Sequence, residues 1–507
     1  MTRRDGSGFS DGGETDVVRG LMWSAMGVTA QGVGQLALLA LLARLLVPAD
    51  FGVVSASLIV IGLTRMLTEG LVGPAVTQRR ALSNEHIRTA FALSVISGTA
   101  AMLLVFASAD GIADWFDMED LAPIVRGLAI IFLLQGIAVV PLALLKRNFR
   151  FADLAKAELA SFLVGFATVG AVLAFLGAGA WALVGAHIAA SVVMTASLVR
   201  MHPHERSIKV DHRAARDLLS FGGHHTIARL FNQAALQGDY LIVGRYLDAA
   251  ALGIYGRAYQ LATVPGMLLG TVLDHVLFPK MASLQDDQAR LRHDFLVATS
   301  LTSILVTPIL VLMVILAPEL VAVLLGAGWD AVVTPLRILA LGLVWRTAYK
   351  LSDSLAKAAG EVASRAWRQG VYAALVVGGA FFGRHWGLAG VSAAVLGAIF
   401  VNYLLMASLS LRIVDLSWKR FLAAHARGLL LALAVGASSL AAAATLRAAD
   451  AIAIVVLAGS VTTAAAVLLI AVRLMPGWVL GEDVRWLIHR VSNVVNEARG
   501  RSSHDRT

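Results

Sequence analysis

The 507-residue chain has no cysteine, which excludes disulfides, thiolate nucleophiles and zinc-thiolate sites outright. Charge is scarce too. Asp, Glu, Lys and Arg make up 15% of the residues against 58% hydrophobic, and the mean hydropathy of +0.76 excludes an ordinary soluble globular domain. No lysine follows a glycine, so the phosphate-cradling G-x-x-x-x-G-K-[ST] loop is absent and an ATP-driven pump is not expected. H-E-x-x-H does not occur, the one G-x-S-x-G run, Gly8–Gly12, sits in the polar N-terminal segment with no strand pattern before it, and no large outer loop could house a glycosyl-transfer site.

What is present is apolar sequence in runs long enough to cross a bilayer, for which about 20 residues suffice. Spans are predicted near residues 20–43, 52–68, 89–108, 122–145, 153–176, 179–199, 218–244, 252–278, 296–317, 331–351, 370–383, 387–411, 424–446 and 451–472. The expected fold is therefore an all-α integral membrane protein of about 14 transmembrane helices. Residues 1–19 are polar, with Arg3, Arg4 and Arg19 ahead of the first span and no small-residue cleavage site, so no cleaved signal peptide is expected.

The connections alternate in charge. One side carries Arg79, Arg80 and Arg88, then Lys146, Arg147 and Arg150, then Arg206, Lys209, Arg213 and Arg216. It continues with Arg290 and Arg292, Lys357, Arg365 and Arg368, and Arg412, Lys419 and Arg420. The other side holds scattered cations and an acidic segment, Asp110 to Asp120. By the positive-inside rule both termini are cytoplasmic. The formal charge of +9 is thus accounted for by topology, since the cations are spread over every inner loop and not gathered into a nucleic-acid-binding face. After the last span, Val484, Leu487, Ile488, Val491 and Val495 recur at helical spacing beside Trp486, which reads as an interfacial helix within a cytoplasmic tail, 474–507.

An internal repeat is visible. Arg44-Leu45-Leu46-Val47-Pro48-Ala49-Asp50-Phe51-Gly52 and Arg245-Tyr246-Leu247-Asp248-Ala249-Ala250-Ala251-Leu252-Gly253 share arginine, leucine and glycine at one shift of 201 residues. An even number of helices per copy keeps both in the same orientation. The expected plan is an N-lobe of six helices (20–200), a cytoplasmic linker (201–217), a C-lobe of six helices (218–411) and two further helices (412–473).

Helix 7 is the least lipid-like span, with His225, Arg229, Asn232 and Asp239 within a narrow arc at 100° per residue. The repeat shift places Ser24 and Gln31 on the equivalent face of helix 1, with Gln35 beside them, but Val28 where helix 7 has Arg229. Charges at midplane cost roughly 3 kcal/mol on insertion scales, so Arg229 either lines a pathway or fixes packing through a carboxylate on a neighbouring helix. Asp239 reads as a solvated carboxylate near the outer end or as a proton-coupling group. Arg245 and Arg257 are expected at the outer mouth, facing cargo or simply solvated. His187, His224 and His275 read as hydrogen-bonded packing residues, and no metal site is expected.

Four segments carry a family resemblance: L-V-P-A-D-F-G (Leu46–Gly52), K-R-N-F-R-F (Lys146–Phe151), D-Y-L-I-V-G-R-Y-L followed by A-L-G-I-Y-G-R-A-Y-Q-L (Asp239–Leu261), and F-P-K-M-A-S-L-Q-D-D (Phe278–Asp287). In their order, and in the plan of nearly the whole chain, it resembles the polysaccharide transporter branch of the multidrug/oligosaccharidyl-lipid/polysaccharide flippase superfamily, the Wzx-type flippases. Gly238 stands where members often carry asparagine. The resemblance implies two lobes around a cationic cavity in a bacterial inner-membrane protein. It also implies alternating-access transfer of a polyprenyl-diphosphate-linked oligosaccharide for exopolysaccharide or lipopolysaccharide biosynthesis.

On that reading Arg229 would hold phosphate as a bidentate fork, and Gln31, Gln35 and Asn232 would bond sugar hydroxyls, with His225, Arg245 and Arg257 nearby and Asp239 coupling to an ion. No cofactor, no nucleic-acid partner and no enzymatic activity are expected. The partners would be the lipid-linked oligosaccharide, membrane lipids and the polysaccharide polymerase and export machinery. Two rivals are a multidrug or cation antiporter of the same superfamily, which favours carboxylates in its cavity, and a membrane glycan polymerase or ligase, which needs a sizeable outer domain.

Overall fold

In the computed structural model, residues 34–79, 82–202, 210–218, 237–283, 287–474 and 477 are described. Helices α1 (Gly34–Leu45), α2 (Pro48–Gln78), α3 (Asn84–Ala107), α4 (Ala109–Phe116) and α5 (Leu121–Arg147) open the fold. Next come α6 (Phe151–Phe162), a π-helical stretch (Leu163–Gly170), α7 (Ala171–Phe175), α8 (Ala180–Met201) and a short α9 (212–218). The second half holds α10 (Gly238–Tyr246), α11 (Ala249–Ser283), α12 (Gln288–Ile315), α13 (Ala317–Leu324), α14 (Val333–Leu341) and α15 (Leu343–Ala358). It ends with α16 (Val362–Gly383), α17 (Gly387–Ile413), α18 (Trp418–Ala448) and α19 (Ala453–Leu474).

No strand occurs among the described residues, as hydrocarbon requires of a chain that must satisfy its backbone within each segment. Each of the fourteen apolar stretches is helical over its described part, and ten helical stretches are long and apolar enough to span a bilayer. The protein is an all-helical, multi-pass membrane protein. The stretch at 331–351 is not one continuous helix, since Gly342 separates α14 from α15, and the helix expected at 370–383 begins earlier, at Val362. The interfacial helix expected over Val484–Val495 lies outside the described residues.

Local sequence sets the helix ends. Pro48 opens α2 with its φ already helical, and the Asp50 carboxylate accepts the Val47 N–H at 3.1 Å. Asp287 caps α12 by accepting the Arg290 N–H at 3.0 Å.

The two repeat motifs meet each other. An added Cβ at Gly52 would run into the Ala249 carbonyl, and one at Gly253 would run into the Pro48 carbonyl. Ala249 is Pro48 displaced by 201 residues and Gly253 is Gly52 displaced by the same shift, so the contact is reciprocal, as across a two-fold axis. Only glycine permits this backbone approach. The same end of the bundle carries two further contacts on equivalent positions: Trp329, after α13, donates its indole N–H to the Ala43 carbonyl at 2.8 Å, while the Phe116 ring of α4 covers Gly244, the counterpart of Ala43. Arg44 adds a bond from Nη2 to the Val323 carbonyl at 2.9 Å.

The opposite, arginine-rich end is held differently. Within K-R-N-F-R-F, Arg147 donates to the carbonyls of Val76 and Arg79 at 3.3 and 2.6 Å, capping α2, and Arg150 donates to the Met201 carbonyl at 3.1 Å, capping α8. Arg292 does the same for α17, donating to the Val414 carbonyl at 2.8 Å and to Asp415 at 3.0 Å. Helix C-termini expose unpaired carbonyls and negative dipole ends, which a guanidinium satisfies on both counts. The α18–α19 hairpin packs on α12, and Arg447 grips Glu319 through two bonds of 2.8 and 2.9 Å.

Candidate functional site

Directly beneath the glycine crossing lies a cavity of about 320 Å³ between α1, α2, the α6/π-helix, α8 and α11. Its wall is mostly apolar, with Leu38, Leu39, Leu42, Phe51, Val54, Phe162 and Phe166 among its lining. Five polar side chains interrupt it: Gln35, Ser55, His187, Arg257 and Gln260. Such a balance, an apolar chamber with a few convergent polar groups, is the usual make-up of a small-molecule site.

Helical spacing explains which faces meet here. Arg257 and Gln260 are three apart on α11 and share the face toward the cavity, whereas Tyr255 and Tyr259 are four apart and share the opposite face. The Arg257 guanidinium carbon sits 4.7 Å from the centroid of the Phe51 ring, and its Nε is buried without a hydrogen-bond acceptor. A buried donor without an acceptor is costly and marks a place where a ligand oxygen would be welcomed. His187 meets Phe166 edge to face at 4.8 Å, on the wall where α6 relaxes into π-helix.

A second polar cluster lies on the other face of α11. Asp239 is 1% exposed; its carboxylate accepts the Tyr255 hydroxyl at 2.6 Å and the Tyr240 N–H at 3.0 Å. Tyr240, Tyr255 and Tyr259 form a triangle with centroids 5.2 to 6.0 Å apart, and the Arg346 guanidinium of α15 sits 4.3 Å over Tyr259. Nε and Nη2 of Arg346 lack acceptors. Toward the arginine-rich end of α15, Asp353 pairs with Lys357 at 2.6 Å and with Arg365 of α16.

Of the residues singled out from sequence, the structure brings Gln35 and Arg257 into one cavity. Arg257 is not at a solvated mouth, because the α2–α11 crossing roofs it over. Asp239 is likewise no solvated carboxylate: α10 starts at Gly238 and turns it inward onto Tyr255. Arg245 lies in the last turn of α10, 5.6 Å from the Tyr246 ring and away from the cavity. Gln31, His225, Arg229 and Asn232 lie outside the described residues. His187, Ser55, Phe51 and Gln260 were not anticipated as lining. Phe51 and Gln260 sit inside the quoted motifs; the spacing of three from Arg257 is the signal that would have found Gln260, and nothing in the spacing points to Phe51.

The fold these helices define is that of an all-helical, multi-pass membrane protein. It is similar to the solved structure of the lipid II flippase MurJ in an inward closed conformation, with a TM-score of 0.68 at 15% identity over 88% of this chain and 98% of that one, a likeness of fold. The chain belongs to the polysaccharide biosynthesis protein family, whose profile matches residues 41–335. It is 27% identical over 297 residues to the teichuronic acid biosynthesis protein TuaB of Bacillus subtilis (strain 168), covering 57% of this chain and 60% of that protein. It is 27% identical over 325 residues to the lipopolysaccharide biosynthesis protein WzxC of Escherichia coli (strain K12), covering 64% and 66%. The matched region thus spans about three fifths to two thirds of these relatives.

Proposed function

We propose that this protein is a flippase that carries a polyprenyl-diphosphate-linked oligosaccharide from the inner to the outer leaflet of a bacterial inner membrane, supplying exopolysaccharide or lipopolysaccharide synthesis. The observation that carries this reading is Arg257: a guanidinium with a free buried donor, in an apolar-walled chamber, beside two amides and a histidine. A diphosphate entering hydrocarbon alone would cost tens of kcal/mol by Born estimates, so its route needs a fixed cation, while the isoprenoid tail stays in lipid. Residues 20–200 and 218–411 act as two lobes whose rocking opens and closes the glycine crossing, with both termini cytoplasmic, and the protein performs no catalysis. Arg229, Asn232, Gln31 and His225 join in holding the cargo, and Asp239 with Tyr255 is the ion-coupling site. Polymerase and export machinery take the product.

A cation antiporter is disfavoured by the same lining, which contains an arginine and no carboxylate among its described residues. The test is to delete the gene and locate the lipid-linked oligosaccharide: accumulation on the inner leaflet is expected, and normal export rejects the proposal. In the complemented strain, Arg257→Ala lowers export by about 10- to 100-fold, the value of one charge-assisted bond, and Arg257→Lys recovers part of it. Unchanged export in Arg257→Ala would remove this residue from the site.

A further inference from the structure

The two closures at the α4/α13 end cover positions equivalent at the 201-residue shift, Ala43 and Gly244, but their covering residues, Trp329 and Phe116, are not equivalent at that shift and differ in chemistry. On one side the Trp329 indole bonds Ala43 and meets the Phe51 ring edge to face, with centroids 5.3 Å apart and planes at 71°. On the other side Phe116 covers Gly244, with Leu252, the counterpart of Phe51 at the 201-residue shift, beside it. Phe51 carries a cation, Arg257, on its ring, whereas the counterpart of Arg257 is Ala56. Only one of the two closures is therefore in physical contact with the charged group of the chamber. The path is short and continuous: Arg257 guanidinium, Phe51 ring, Trp329 ring, Ala43 carbonyl.

We infer that Phe51 is a positioning residue through which the state of Arg257 sets the strength of the Trp329 closure, so that a diphosphate bound at Arg257 releases this end of the molecule. The inference rests on the cargo reading above. In the empty chamber the guanidinium has no acceptor at Nε and takes the Phe51 π face as its partner, which fixes the ring against Trp329. Phosphate oxygens are far stronger partners for a guanidinium than a benzene face. Their arrival draws the cation away, and Phe51 loses the contact that pinned it. Trp329, 1% exposed, then keeps a single hydrogen bond and a freed neighbour where it had a locked aromatic stack. A ligand can move such an equilibrium only by the difference in its contacts with the two states, and this difference is the cation–π contact exchanged for phosphate.

Because the chain has no cysteine, spin labels can be placed at Trp115 and Asp330, both exposed and each next to one closure, in the full-length protein in nanodiscs. The probe is geranylgeranyl diphosphate, whose binding is measured separately by calorimetry. In the native chain the probe should move the label pair from its short distance to a longer one, with a closed-to-open ratio changed on the order of tenfold. Phe51→Met keeps the bulk without a π face. It should raise the open population before any probe is added and shrink the probe-driven change to within about twofold, with probe binding retained. Phe51→Tyr restores the native response, and Leu252→Met leaves it unchanged. If the probe binds Phe51→Met and drives the same opening as in the native chain, the coupling is wrong while the cargo reading stands. If the native chain does not bind the probe, or binds it equally with Arg257→Ala, both fall.

Discussion

The two ends of this bundle are held by opposite means. At the α4/α13 end, contacts cross from residues before 200 to residues after 218: Gly52 against Ala249, Gly253 against Pro48, Trp329 on Ala43, Arg44 on Val323 and Phe116 on Gly244. Apart from the exposed Arg44 bond, these are close contacts that depend on small residues or flat rings. At the arginine-rich end, Arg147 ties α5 to α2, Arg150 ties the α5–α6 turn to α8, and Arg292 ties α12 to the end of α17, each within its own half. Stiff halves joined across one end are what rocking requires, since the joining contacts can part without melting either half. The arginines of these connections are thus the fasteners of each half.

The sharpest way to break this contrast is to intrude on the glycine crossing. Gly52→Ala places a methyl into the Ala249 carbonyl, so α2 and α11 must separate; a loss of about 3 kcal/mol is expected, read as reduced thermal stability in detergent together with thiol labelling of a cysteine at position 42. An unchanged melting profile would mean that the crossing is looser than described. Arg147→Ala should cost less, about 1 to 2 kcal/mol, and the loss should register as faster proteolysis near residues 76–79 with the α4/α13 end still closed. Opening of that end in Arg147→Ala would show that the two ends are not separately fastened.

The smallest effect belongs to the Arg79–Asp217 pair, which joins the end of α2 to α9 at 2.9 Å. The hydrogen bond from the Arg79 guanidinium, followed by a weaker opposing effect of burial and then by the arginine charge, holds the Asp217 carboxyl below its usual range. A depressed carboxylate stabilises the fold above its ordinary value near 4 and loses that contribution as the pH falls through its lower folded value. The pair is half exposed, so native and Asp217→Asn proteins should melt nearly alike at high salt and differ slightly between pH 5 and 8 at low salt. The difference should fade as the pH falls through the depressed folded value of Asp217. A difference that grows on acidification would contradict the assignment.

Much of the all-helical architecture was legible without coordinates because hydropathy obeys the simple physics of the bilayer. The 201-residue shift was legible as well, but its meaning was not: sequence shows that Gly52 and Gly253 correspond, and only packing shows that their two helices meet. The chamber was legible in part. Gln35 and Arg257 were singled out as polar residues near apolar spans, yet Arg257 reads as a loop-end cation until the crossing roofs it over. Asp239 reads as a solvated end for the same reason, and the tyrosines that bury it are ordinary aromatics until α10 and α11 are laid side by side. Phe51 was hidden inside a motif whose glycine and proline drew the attention, since a ring's partners are set by three-dimensional neighbours and not by spacing.

The most direct test of the proposed parting of the α4/α13 end is to lock that end covalently. An added Cβ at Gly326 lies 3.2 Å from Cγ of Arg44, the position a cysteine sulfur would occupy, so Arg44→Cys with Gly326→Cys should form a disulfide in this cysteine-free chain. Gly326 has φ of +88°, which costs a non-glycine residue about 1 kcal/mol and leaves the fold intact. Delivery of lipid-linked oligosaccharide to the outer leaflet should stop in the oxidised protein and resume on reduction. Delivery that continues at the reduced rate constant in a fully cross-linked population would contradict the account.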